Sequence, residues 1–65
     1  MNLKQLGAEI EEIRQKNRIP LYIVCDLFGV NESKWFEQIV AGKRKPTTYQ
    51  LIMFIEMTKT PLKSL

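Results

Sequence analysis

A chain of 65 residues with one cysteine and no histidine has nothing to brace it except the packing of its own side chains. Cys25 has no partner for an internal disulfide, and without histidine the usual zinc constellations and histidine-based catalytic dyads are ruled out. One domain is the most that this length allows, and it buries only about 60% of the surface its unfolded form exposes. The core is therefore modest, and no enclosed active site fits beside it. The chain is expected not to be an enzyme and to need no cofactor and no metal. Its 45% hydrophobic and 26% charged residues suit an ordinary folded domain.

The spacing of the apolar residues decides what kind of core this is. Leu3, Leu6, Ile10 and Ile13 fall on one stripe of a helix, with Glu9, Glu11, Glu12 and Arg14 elsewhere on it. The pattern predicts a first helix over 2–16, ended by Asn17 in a left-handed turn. The Ile19–Phe28 stretch is β-branched enough to pass for a strand, but no partner strand follows. Pro20 suits the start of a helix and Gly29 the residue just past its end, so the second helix is predicted over 20–28. Asn31 is the expected cap of a third helix, over 31–41, with Gly42 ending it. Thr47 and Gln50 have the spacing of a capping box for a fourth, over 48–58, with Leu51, Phe54 and Ile55 inward. A short turn over 61–65 carries Leu62 and Leu65. The fold class is thus all-α, a compact bundle of four to five crossed helices.

Charge and the N-terminus narrow the setting. The net charge of +3 favours an anionic partner. The N-terminus mixes apolar and charged residues, unlike a signal peptide, and no apolar run approaches the roughly 20 residues that cross a bilayer. A cytoplasmic protein without membrane contact is the expectation.

The informative stretch is Leu21 to Ile39. Two helices that cross closely need a small residue at the crossing and a glycine at the tight turn, and Cys25 and Gly29 stand there. Val24, Phe28, Val30 and Trp35 occupy the positions that must be apolar. Over nearly its full length the chain resembles the lambda-repressor-like (Cro and repressor, XRE-type) helix-turn-helix DNA-binding domains. Leu6-Gly7 through Arg14 looks like the family's first helix, Gly42-Lys43-Arg44-Lys45-Pro46 like its loop before helix 4, and Leu51 to Leu65 keeps its apolar spacing.

The resemblance implies five short helices and sequence-specific control of transcription, as a repressor or other regulator in bacteria, phages or plasmids. It implies double-stranded DNA as partner and a homodimer on a symmetric site. By position, Asn31, Glu32, Ser33, Lys34 and Glu37 would face the bases, and Lys43, Arg44 and Lys45 would meet phosphate. The alternative is a solvated helix face and an ordinary charged loop. Trp35 fits a core position, with stacking on a base as its rival. Cys25 reads as a packing residue rather than a redox switch.

Where the family usually carries polar residues, this chain has Leu21, Tyr22 and Ile23. Beyond Trp35 the apolar spacing slips by one, with Gln38 followed by Ile39. The three apolar residues, with Met53 and Met57, offer a second function: a protein-interaction module that binds another regulator through helix 2. Plain burial of the three is the competing reading. Two stability expectations follow: Trp35→Ala should cost roughly 3 to 5 kcal/mol, and Gly29→Val should be worse tolerated than Gly7→Val.

Overall fold

The computed structural model describes residues 2–65 and contains four helices, α1 (Leu3–Lys16), α2 (Leu21–Leu27), α3 (Ser33–Val40) and α4 (Thr48–Thr58). Among the described residues there is no strand, and no helix is long and apolar enough to cross a membrane. The side-chain oxygen of Asn2 opens α1 by accepting from the N–H groups of Lys4 (3.0 Å) and Gln5 (3.1 Å), two of the four donors that a first turn leaves orphaned. Leu6, Ile10 and Ile13 form its buried stripe. Asn17 does not take the left-handed place at its end; Arg18 does, with φ 55°. The Asn17 side-chain amide donates to the Ile13 carbonyl instead, at 2.8 Å.

α1, α2 and α3 all terminate in the same way. A left-handed residue (Arg18, Gly29 or Gly42) follows the cap, and its N–H and the next one turn back to carbonyls of the last turn. The pairs run from Arg18 to Gln15 and Ile19 to Arg14, from Gly29 to Asp26 and Val30 to Cys25, and from Gly42 to Ile39 and Lys43 to Gln38. Two bonds per helix end satisfy carbonyls that would otherwise need water and reverse the chain within a few residues. Very short loops then suffice.

α3 begins later than the sequence suggests. Glu32, extended at φ −137° and ψ 136°, is its N-cap residue and makes no side-chain capping bond, so Asn31 lies outside the helix and does not cap it. The buried face of the helix differs as well. Phe36 and Ile39, each 1% exposed, take the core face assigned above to Trp35, and Trp35 sits partly buried on the flank.

Phe28 stands at the centre of the bundle, edge-on to Phe36 with ring centres 5.7 Å apart and to Phe54 at 6.1 Å. Val24, Leu6 and Ile10 complete the deepest layer. The capping box of α4 is formed, with Gln50 N–H donating to the Thr47 hydroxyl (3.0 Å) and Thr47 N–H to the Gln50 side-chain oxygen (2.9 Å). The Gln50 amide also donates to the Phe28 carbonyl at 2.9 Å, tying the start of α4 to the end of α2.

α1 and α3 approach until their backbones touch. A methyl group at Gly7 would run into the carbonyl oxygens of Ile39 and Val40, and one at Gly42 would lie 2.7 Å from the Lys4 Cα. Around Gly29, by contrast, the space is open. The segment after α4 is irregular, with a turn at Lys63 and Ser64, a buried Leu62 and an exposed Leu65. The N–H groups of Lys63 and Ser64 donate to the Glu9 carboxylate at 2.7 and 2.9 Å, which fastens the segment to α1.

Candidate functional site

The turn after α2 and the first turn of α3 bring Asn31, Glu32, Ser33 and Lys34 together, all exposed. Glu37, one turn further on, is exposed as well. It also lines a groove shared with Glu11, Arg14 and Leu21. The Lys34 ammonium lies 3.3 Å from the Glu32 carboxylate, which neutralises one of the two acids on this face.

Lys43, Arg44 and Lys45 are exposed in the loop that leaves α3, but Arg44 does not extend freely into solvent. Its guanidinium carbon lies 4.2 Å from the centre of the Trp35 ring, and its Nε donates to the Gln38 side-chain oxygen at 3.2 Å. Lys34 approaches the same ring at 5.2 Å. Trp35 therefore joins the first turn of α3 to the basic loop through its π-face, which attracts both cations. Sequence reasoning missed Gln38 here and favoured the core for Trp35, because an aromatic on a helix with an apolar stripe reads first as core. Lys4 was missed too. The contact between Gly42 and Lys4 puts this lysine, exposed, beside the loop that carries the basic triplet.

Arg14 is basic but committed. It makes two hydrogen bonds to Glu11, at 2.6 and 3.0 Å, and a third to the Ile19 carbonyl at 2.7 Å. The Arg14 hydrogen bonds hold the Glu11 carboxyl below its ordinary range despite partial burial, and the Arg14 guanidinium is raised in return.

A groove of about 400 Å³ runs between α2 and the start of α3, lined by Leu21, Tyr22, Cys25, Asp26, Asn31 and Ser33 among others. Cys25 is buried at its base. Burial first, and then the negative charge of Glu37, push its thiol upward, so it stays protonated and acts as a small packing residue.

The apolar patch read from the sequence divides. Leu21 and Met57 are half-buried against the core, and Met53 is half-buried, which leaves Tyr22 (72% exposed) and Ile23 pointing outward. On α4 the structure exposes Tyr49 (67%) and Ile52 (52%), neither of which stood out in the sequence. They lie three apart on one helix face, a spacing that could have pointed to them.

Comparison with known proteins finds no matching family model, no matching curated protein and no matching solved structure.

Proposed function

We propose that this chain is a sequence-specific DNA-binding regulator of the lambda-repressor-like kind, with α2, the Gly29 turn and α3 as its helix-turn-helix unit. In this reading the role is binding rather than catalysis, in a cytoplasmic setting, and the working form is a homodimer, because one recognition helix rarely supplies enough affinity. The observation that carries it is the exposed first turn of α3 standing beside a basic loop that is fastened to the same helix through Arg44. Asn31, Glu32, Ser33, Lys34 and Glu37 read base edges, Ser33 and Lys34 foremost. Lys43, Arg44 and Lys45 meet phosphate and supply affinity that does not depend on sequence.

Gel retardation at low and moderate salt, with random duplex as competitor, tests the reading. Binding should weaken with salt, and replacing Lys43, Arg44 and Lys45 by alanine should lower affinity and reduce the slope of log affinity against log salt by about one per lost contact. Ser33→Ala should change preference among sites and leave the slope nearly intact. A triple variant with unchanged affinity and salt dependence removes the phosphate role of the loop.

The second reading, a module that binds another regulator through α2, is favoured by the exposure of Tyr22 and Ile23. No duplex binding by the parent protein, together with capture of a purified protein partner that Tyr22→Asp abolishes, would establish it in place of the first.

A further inference from the structure

We infer that Trp35 is a positioning residue for the phosphate-binding loop: through its ring face, and with Gln38, it holds the Arg44 guanidinium ready to meet an anion. The inference rests on the DNA-binding reading above and adds a residue to it. Three observations meet here. Trp35 lies outside the fully buried core, which Phe36 fills, and is left partly exposed, although a tryptophan in so small a domain would bury the most apolar surface if it turned inward. Arg44 lies 4.2 Å from its ring centre, and the same guanidinium donates to Gln38 one turn of α3 further on. Arg44 is thus held from two points on one helix, whereas Lys43 and Lys45 are exposed on either side of it.

A long arginine side chain that must become ordered to meet phosphate loses rotamer freedom, and that loss subtracts from affinity. Stacking on an aromatic ring leaves the edge of the planar guanidinium available to an anion, since the ring attracts its face. With Nε bonded to Gln38, the two terminal nitrogens remain to donate to a phosphate oxygen pair. Trp35 therefore acts through Arg44 and contributes little of its own.

The test is a double-variant cycle in the full chain, with random-sequence duplex DNA at low salt as the probe. Trp35→Ala should weaken binding by about two- to fivefold. In an Arg44→Ala background the same change should have a clearly smaller effect, the remainder coming from Lys34 on the same ring. Trp35→Phe, which keeps a ring face, should restore most of the loss, and Gln38→Ala should couple to Arg44 in the same way. Lys45→Ala serves as the control and should add to Trp35→Ala independently. Circular dichroism melts check that each variant is folded; if Trp35→Ala is not, Trp35→Phe and Gln38→Ala carry the cycle. A Trp35 effect of equal size with and without Arg44, or no effect in the parent, overturns the inference while leaving DNA binding in place. Failure of the parent to bind any duplex removes the DNA reading and this inference with it, so the two failures are told apart by the parent alone.

Discussion

Gly7 sits inside α1, where glycine ordinarily costs up to about 1 kcal/mol relative to alanine. Here packing reverses the sign, because the Ile39 and Val40 carbonyls occupy the space that a Cβ would need. Gly7→Ala must therefore move α3 away from α1, at a cost of about 3 kcal/mol. Gly29 has φ 70° and open space around it, so Gly29→Ala meets only backbone strain, about 1 kcal/mol. Denaturant midpoints of the two variants should fall in that order, the reverse of what sequence alone suggests. The same reversal applies to the neighbouring aromatics of α3. Phe36→Ala should cost roughly 3 to 5 kcal/mol as a fully buried ring, and Trp35→Ala less, about 2 kcal/mol, as a partly buried one. Native emission from the single tryptophan should accordingly resemble a partly hydrated indole, and a fully buried spectrum would contradict the placement of Trp35.

At the scale of the element, α4 was legible almost to the residue and α3 was not. The ends of α4 are written into local chemistry, with Thr47 and Gln50 forming a closed pair of hydrogen bonds that needs no tertiary partner. The start of α3 depends on how many residues the turn after Gly29 consumes, and the outcome shows only in tertiary contacts such as that of Phe28 with Phe36. With Trp35 and Phe36 adjacent, a one-residue change in that turn exchanges their environments, and the sequence carries no local sign of which is correct. Gln50 illustrates how a local signal gains a tertiary role, since its amide also donates to the Phe28 carbonyl. Gln50→Glu keeps an acceptor for the Thr47 N–H but turns the donor into an acceptor against that carbonyl. It should lower stability by about 1 kcal/mol, measurable by thermal melts, with Thr47→Ala costing a similar amount through the lost cap.

Over the whole molecule, the end of the chain is held to the beginning by one carboxylate. Burial pushes the Glu9 pKa up, but the N–H groups of Lys63 and Ser64 and the charge of Lys63 together outweigh it, and the net shift is downward. A carboxylate whose folded pKa is depressed contributes stability that is present above its ordinary value of about 4.5, and that stability is lost as pH falls through the lower folded value. The contribution is small because Glu9 is partly solvated, about 1 kcal/mol. Glu9→Gln should remove it at neutral pH and leave stability in strong acid nearly unchanged. Amide hydrogen exchange at Lys63 and Ser64 should be slow at neutral pH and fast in the variant; equal rates would show that the segment is held by Leu62 alone. The helical class and the basic loop were legible in the composition and spacing, whereas this clasp, formed between residues more than fifty apart, had no signature that a reader of the sequence could use.

The glycine contacts between α1 and α3 have a mechanical consequence. No residue is smaller than glycine, so any substitution at Gly7 or Gly42 displaces α3 in one direction only, outward and with the loop attached. The distance between the two helices is already at its minimum and cannot drift by small compensating steps. The exposed side chains, Asn31 to Lys34 and Lys43 to Lys45, meet no such barrier, so they can be exchanged without moving the platform that presents them.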